Sequence, residues 1–164
     1  MAIITFHKKN DYAVRASNIA ASMKHMPGAL LPILHEVQHQ LGFIPADAVP
    51  SIADALNLSR AEVHGVISYY HHFRDKPAGK HVVQICKAES CQAMGSEDLA
   101  AHAEHSLGCK FHETTVDKAF SLEPVYCLGL CAQSPAIMID DQLHAKVTPQ
   151  KLDALLAACS GVAS

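Results

Sequence analysis

The spacing of the cysteines is the feature that most constrains what this chain can fold into. Four of its six cysteines form two short pairs. Cys86 and Cys91 are separated by four residues, Cys127 and Cys131 by three, and 35 residues lie between the pairs. Pairs this far apart act together only if the fold brings them to one place. Because soft thiolate ligands select iron–sulfur clusters, zinc or Cu(I), the pattern predicts a shared metal site.

Composition narrows the class of protein. A length of 164 residues suits one ordinary domain or two small ones. Only 18% of the residues are charged, which is below the usual value of about a quarter and favours a subunit that buries surface against partners. The net charge is −3 and there is no basic block, so the composition speaks against nucleic-acid binding.

The sequence also predicts the compartment. The polar residues 7–11 interrupt the apolar start before a secretory signal could form. No apolar run reaches the roughly 18 residues that a membrane span needs. We therefore expect a cytoplasmic protein without membrane insertion. In that compartment disulfides are disfavoured, and paired cysteines more often bind metal or take part in redox chemistry.

The N-terminal part has a helical pattern, with apolar positions recurring at helical spacing over residues 17–74. We assign residues 1–76 to a helical docking domain, because a bundle this small has little core of its own and gains from packing on a partner. The predicted helices are 17–26, capped by Ser17, then 30–41, 45–57, and one that begins at a capping box of Ser59 and Glu62.

The pattern changes after a polar linker at residues 74–80. A strand, a helix and a second strand are followed by a hairpin and a last helix, which is a thioredoxin-like order. The predicted fold class is α/β, or α+β overall, with an N-terminal helical bundle before a thioredoxin-like domain at residues 77–164. The predicted elements are strand 81–85, a helix between Ser96 and Gly108, strands 119–125, 136–139 and 143–147, and a helix capped by Thr148.

This order explains how the two cysteine pairs meet. Each pair follows the end of a predicted strand, and a right-handed β-α-β crossover makes the two strands parallel neighbours. The loops that leave them, residues 87–95 and 128–135, then face one another at one edge of the sheet. Each pair could hold one iron of a [2Fe–2S] cluster. Gly95 and Gly129 allow backbone N–H groups to turn towards sulfur, which would raise the reduction potential.

Other interpretations of the four cysteines stay open at this point. Zinc accepts four thiolates, although its structural sites usually lie on knuckles that lack a sheet and helix. Four unrelated buried cysteines are a further possibility. A thiol–disulfide oxidoreductase would be expected to carry a C-x-x-C motif, which the sequence lacks.

Several segments resemble one family, the thioredoxin-like [2Fe–2S] ferredoxins, which includes the 24 kDa subunit of respiratory complex I. The resemblance covers about residues 17–158. It is carried by the two cysteine pairs, the residues SPA at 134–136 and the helical stretch GVISYY at 65–70. Within the family, HHFR at 71–74, AESCQ at 88–92 and VTP at 147–149 are most similar to the γ subunit of NAD-dependent formate dehydrogenases.

The resemblance implies that Cys86, Cys91, Cys127 and Cys131 hold one [2Fe–2S] cluster and that the chain transfers electrons without catalytic residues of its own. It also implies a flavin- and NAD-binding partner and a large catalytic subunit with further iron–sulfur clusters. FMN, NAD and a metal–pterin centre would lie only on those partners. A subunit of complex I or of an NAD-linked hydrogenase is the alternative, and a zinc-stabilised structural subunit is an alternative of another class.

The remaining candidates have simpler explanations. Cys109 and Cys159 are expected to be buried or surface thiols without a ligand role. The histidine pairs lack a third ligand and are expected to be solvated or interface residues. No glycine-rich phosphate-binding motif occurs, so the sequence does not predict that this chain binds a nicotinamide or flavin by itself.

Overall fold

The computed structural model describes the backbone of residues 2–161 and the side chains of residues 11–161. Its Cα positions group into two compact units, residues 1–77 and residues 78–164. The first unit is helical and the second is built on a five-stranded sheet, so the predicted fold class is confirmed. The docking role assigned to the first unit stays a prediction. Among the helices of the described residues, none has both the length and the apolar character of a membrane-spanning segment.

The helical unit buries one apolar core. Its elements are α1 (Ala2–Met23), α2 (Leu30–Leu41), a turn of 3-10 helix at Ala46–Ala48, α3 (Val49–Leu56) and α4 (Arg60–Tyr69). The core side chains lie at helical spacing on these elements, which gives each helix one inward face. The largest fully buried side chains of this unit are Ile33, Leu34, Val37, Ile52 and Val63 on the helices and Ile44 in the segment after α2.

Most helix ends agree with the sequence prediction. Gly42 ends α2 with φ 82°, and Asn57 ends α3 with φ 54°, both in the left-handed region that favours glycine and asparagine. The predicted capping box is present at the start of α4, since Ser59 accepts from the Glu62 N–H and the Glu62 carboxylate accepts from the Ser59 N–H.

The predicted cap at Ser17 is wrong. Ser17 lies inside α1, which begins at Ala2 and ends at Met23 rather than at Met26. Ala16, Ile19 and Ala20 are all buried in the core of the helical unit. Because this buried face includes Ala16, on the N-terminal side of Ser17, packing extends the helix past a residue that could otherwise have capped it.

The second unit is a sheet covered by helices. The elements are β1 (His81–Cys86), α5 (Glu89–Ala93), α6 (Ser96–Leu107), β2 (Glu113–Thr114), β3 (Phe120–Val125), β4 (Ile137–Ile139), β5 (Gln142–His144) and α7 (Pro149–Cys159). The strands lie in the order β2-β3-β1-β4-β5. The central strand β1 pairs parallel to β3 and antiparallel to β4, and β4 forms a hairpin with β5.

Four local features differ from the predictions. The segment expected to be a plain loop contains the short helix α5, and the edge strand β2 was not predicted. Ser96 is the first residue of α6 rather than its cap, because Gly95 occupies the cap position with φ 90°. The last strand ends at His144 rather than Val147, since Lys146 and Val147 donate their N–H groups to Gln133 and Pro135 instead of β4.

Candidate metal centre

Cys86 and Cys91 form a buried pair at the end of the central strand. Cys86 is the last residue of β1, and its N–H donates to the carbonyl of Ala136 at 3.1 Å. The next N–H, that of Lys87, donates to the carbonyl of Val125 at 2.8 Å. The strand is thus held on both sides up to its end. Cys91 lies on α5, and each of the two cysteines is 2% exposed.

Cys127 and Cys131 form an exposed pair just beyond β3. Cys127 has φ 94°, and Cys131 begins a turn of 3-10 helix that ends at Gln133. Their Sγ atoms lie 3.7 Å apart. Two thiolates on one tetrahedral metal, with metal–sulfur bonds of about 2.3 Å, are separated by roughly 3.8 Å. The exposed pair therefore already has the spacing that a shared metal atom requires.

Backbone groups of both loops act on the Cys86 thiol. Burial raises the pKa of this thiol, but backbone hydrogen bonding from Ala88 in its own loop and from Cys127 and Leu128 in the other loop holds the pKa below its usual value. Cys86 is thus placed in surroundings that favour its thiolate, the form that binds metal.

The pKa of the Cys131 thiol, in the exposed pair, is shifted in the opposite direction. A hydrogen bond to Cys127 raises this pKa, and the charge of Cys127 adds to the effect. The N–H of Gly129 donates to the Cys127 sulfur at 3.4 Å, with the glycine at φ 76°. This is the N–H to sulfur contact that the sequence predicted for Gly129. Gly95, by contrast, donates its N–H to the carbonyl of Gln92.

Two serines form a second link between the loops. The hydroxyl of Ser90 donates to the carbonyl of Cys131 at 2.9 Å and lies 3.0 Å from the hydroxyl of Ser134. Ser134 also donates to that carbonyl at 3.0 Å and lies 3.4 Å from the sulfur of Cys91. Sequence reasoning did not identify these serines as part of the site, although Ser134 belongs to the segment that carried the family resemblance.

The surroundings of the buried pair are apolar. Cys86, Cys91 and Ala136 form a small buried cluster with Ala88, Val125, Leu128 and Leu130 partly buried against it. Within the described residues, no three His, Cys, Asp or Glu side chains gather closely enough to hold one ion. A four-cysteine zinc site needs all its sulfurs around a single atom. In a [2Fe–2S] cluster, by contrast, each iron would take one pair.

Comparison with known protein families shows to which family the chain belongs. Residues 16–160 match the family described as thioredoxin-like [2Fe-2S] ferredoxin. The chain belongs to this family. A thioredoxin-like [2Fe–2S] ferredoxin is expected to hold one [2Fe–2S] cluster, and the donor set described above fits that group. The assignment of each cysteine as a ligand stays a prediction.

This ferredoxin is similar to E subunits of NADH-quinone oxidoreductases. It is 35% identical over 145 residues to the E subunit of the NADH-quinone oxidoreductase of Pseudomonas aeruginosa, covering 87% of each chain. It is 37% identical over 128 residues to the E subunit of the same enzyme from Escherichia coli K12, covering 78% of this chain and 77% of the other. These matches do not show the predicted closeness to the γ subunit of formate dehydrogenase.

Among solved structures, this ferredoxin resembles an NAD+-reducing [NiFe]-hydrogenase in the air-oxidised state. The match has a TM-score of 0.68 at 23% identity, and it covers 80% of this chain but 23% of the hydrogenase chain. It therefore shows a shared fold. The present chain spans about a quarter of that hydrogenase chain.

The other candidate residues lie apart from the four cysteines. Cys109 is buried in the main core of the sheet unit, and Cys159 is half-buried against the same core. His102, Ser106 and Asp153 form a hydrogen-bonded group on α6 and α7. It lacks the arrangement of a catalytic triad, because the serine and the aspartate both contact Nε2 of the histidine.

Proposed function

We propose that this chain holds one [2Fe–2S] cluster on Cys86, Cys91, Cys127 and Cys131 and serves as an electron-transfer subunit of an NAD-dependent formate dehydrogenase. The observation that carries the cluster assignment is the convergence of the two loops: the Ser90 hydroxyl donates to the carbonyl of Cys131 at 2.9 Å, and the Cys91 sulfur lies 3.4 Å from the Ser134 hydroxyl. The family to which the chain belongs supports the kind of cluster.

The two pairs have different tasks in this proposal. When bound, the cluster supplies a site that accepts and gives up one electron. The buried pair, Cys86 and Cys91, is held by the sheet and anchors it. Cys127 and Cys131 are exposed, so they present the other side to a partner. Electrons would pass to or from the FMN of a flavin- and NAD-binding subunit on this side, or be stored beside it.

The formate dehydrogenase assignment is supported by the residues at 71–74, 88–92 and 147–149. The first of these segments is fixed to α2 by one side chain. Gln38 donates to the carbonyl of His72 at 2.8 Å and accepts from the N–H of Arg74 at 2.7 Å. In such a complex, a large subunit with further iron–sulfur clusters would oxidise formate at a metal–pterin centre. The cytoplasmic location belongs to the same proposal.

A second candidate is the corresponding subunit of an NADH-quinone oxidoreductase. It is favoured by the relatives of 35% and 37% identity, both of which are the E subunit of that enzyme. A subunit of an NAD-linked hydrogenase has the support of the fold alone. The partner that accompanies the chain separates the three, because the large subunit defines the chemistry.

The helical unit is proposed to dock on the flavin subunit. It has an open cavity of about 390 Å³, lined mostly by apolar residues that include four leucines, with Lys24 as its charged residue. Tyr70 lines the same cavity and is 42% exposed, and the adjacent Tyr69 is 76% exposed. Exposed tyrosines beside an apolar cavity are typical of a protein–protein contact.

One preparation tests the cluster assignment. Anaerobically purified full-length chain is expected to be brown, to bleach with dithionite, and to contain two irons and two sulfides per chain. Cys127→Ser should damage this spectrum, whereas the matched variant Cys109→Ser should leave it unchanged, because Cys109 lies in the core of the sheet unit away from the site. A colourless protein with stoichiometric zinc would refute the proposal.

A second preparation tests the parent complex. The chain is purified with its partners from native cells, and the bound subunits are identified by mass spectrometry. Formate-dependent reduction of NAD by that complex is the result expected. Co-purification with quinone-reducing or hydrogen-oxidising subunits would overturn the formate dehydrogenase assignment and leave the cluster assignment standing.

A further inference from the structure

We propose that the hydroxyl of Ser134 donates a hydrogen bond to the sulfur of Cys91 when the site holds its cluster, and that this bond raises the reduction potential. Ser134 is then a positioning and tuning residue rather than a ligand. The inference rests on the proposed function, since it takes Cys91 as a thiolate ligand. It concerns two residues that come from different ligand loops, 43 positions apart in the sequence.

The contact itself is short and protected. The Ser134 Oγ and Cys91 Sγ atoms are 3.4 Å apart. Ser134 is 8% exposed and Cys91 is 2% exposed. Water therefore has little access to the space between them, and a hydrogen bond in surroundings of low polarity is stronger than one at the surface.

Metal binding reverses the direction of this hydrogen bond. In the structure, the Cys91 thiol donates to the Ser134 oxygen. A cysteine that ligates iron has lost its proton. The two atoms then stay hydrogen-bonded only if the serine supplies the hydrogen, and a hydroxyl is able to both donate and accept.

Ser90 makes this reversal possible. Ser134 now donates to the carbonyl of Cys131 at 3.0 Å, so turning to the sulfur removes one donor from that carbonyl. The Ser90 hydroxyl donates to the same carbonyl at 2.9 Å. The carbonyl therefore keeps a partner, and no buried polar group is left unpaired. A hydrogen bond to a charged acceptor is about twice as strong as one to a neutral acceptor, so the thiolate competes successfully.

The direction of the effect follows from charge. A reduced cluster carries one more negative charge than an oxidised one, and part of that charge lies on the ligand sulfurs. A donor next to a sulfur stabilises the reduced form more than the oxidised form. Loss of the Ser134 hydroxyl should therefore shift the midpoint potential to a more negative value.

The experiment compares Ser134→Thr with Ser134→Val in the full-length chain. Threonine and valine have nearly the same shape, so the two variants differ by the hydroxyl alone. The midpoint potential of each is measured by titration followed by electron paramagnetic resonance. We expect the valine variant to have the more negative potential and the threonine variant to stay near the unsubstituted protein. Equal potentials in the two variants would overturn the proposal.

Ser90 gives an independent control. Ser90→Ala leaves the Cys131 carbonyl dependent on Ser134 and draws that hydroxyl away from the sulfur, so a smaller negative shift is expected. In a chain that already carries Ser134→Val, the additional Ser90→Ala should change the potential no further. If Ser90→Ala shifts the potential of the Ser134→Val chain as much as it shifts that of the unsubstituted chain, Ser90 acts separately, and this result would contradict the proposal.

The same measurements distinguish failure of the cluster assignment from failure of the role given to Ser134. If the unsubstituted chain shows no [2Fe–2S] spectrum, the proposed function fails. If all variants show that spectrum with the same potential, the cluster assignment stands and only the role of Ser134 fails.

The frequency of the iron–cysteine stretching vibration provides a second readout of the hydrogen bond. It should be higher in the valine variant, because a sulfur without a hydrogen bond binds iron more strongly.

Discussion

The hydroxyl of Ser90 donates a hydrogen bond to the carbonyl of Cys131 at 2.9 Å, so the loop that follows β1 is joined to the loop that follows β3. Within the candidate metal centre, this bond connects an exposed cysteine pair to a buried one. The relationship places one pair in the sheet unit's interior and leaves the other on its surface. The two pairs should therefore behave differently in solution.

Alkylation of the cluster-free chain is expected to show this difference. Cys127 and Cys131 are exposed and should react quickly with iodoacetamide, whereas Cys86 and Cys91, each 2% exposed, should react only when the unit opens. Mass spectrometry of the labelled peptides measures each rate. Fast labelling of Cys86 in folded protein would contradict the arrangement described here. Loading with iron and sulfide should protect the exposed pair.

The approach of Gly79 to Phe120 predicts a steric effect. A Cβ atom at Gly79 would lie 2.7 Å from the carbonyl carbon of Phe120, which is backbone and cannot rotate away. The Gly79 N–H also donates to the Ser121 hydroxyl at 2.8 Å. We expect Gly79→Ala to lower the free energy of unfolding by about 1–3 kcal/mol, as overpacking does. Urea unfolding followed by circular dichroism measures it.

Gly65 offers the matched substitution for this test. It lies within α4, where an added Cβ would meet nothing within 4 Å. Gly65→Ala should stabilise the helix by up to about 1 kcal/mol, because glycine is a poor helix former. Equal destabilisation by both substitutions would show that the close contact at Gly79 is not the cause.

Burial in the sheet predicts the cost of a cavity. Leu122 on β3 is fully buried, whereas Leu143 on β5 is 51% exposed. Leu122→Ala should lower the free energy of unfolding by about 2–5 kcal/mol. Leu143→Ala should change it by no more than about 0.5 kcal/mol, as surface substitutions do. Similar values for the two variants in urea titrations would refute the packing described for the sheet.

The capping box predicts a dependence of stability on pH. Backbone and side-chain hydrogen bonds from Ser59 hold the pKa of Glu62 below its ordinary value of 4.5. A carboxylate whose pKa is lower in the folded state adds stability above the unfolded pKa, and this is lost as the pH falls through the folded pKa. Glu62→Gln should reduce the loss of stability between about pH 5 and pH 3. Thermal unfolding at a series of pH values measures it, and an unchanged profile would contradict the assignment.

The apolar cavity of the helical unit predicts where the partner binds. Tyr70→Asp places a charge at the cavity, which should weaken co-purification of the flavin subunit without unfolding the chain. Val116→Asp is the control, because Val116 is fully exposed on the sheet unit. Equal recovery of the partner with both variants would show that docking takes place elsewhere.

The sequence by itself determined the elements whose signals are local. The capping box at Ser59, the left-handed ends at Gly42 and Asn57, and the Pro149 that follows Thr148 all act within a few residues, so their positions agree with prediction. The cysteine spacing likewise identified the four candidate ligands. Each helix end, and each cysteine pair taken by itself, depends on residues that are close together in the chain.

Only the tertiary structure decided the features that depend on distant partners. The apolar core extends α1 beyond Ser17. The N–H groups of Lys146 and Val147 turn to the ligand loop and shorten β5. Ser134 is near Cys91 only because a parallel pair of strands brings their loops together. Hydrogen bonds and burial of this kind join residues tens of positions apart, and no local pattern in the sequence specifies which atoms will meet.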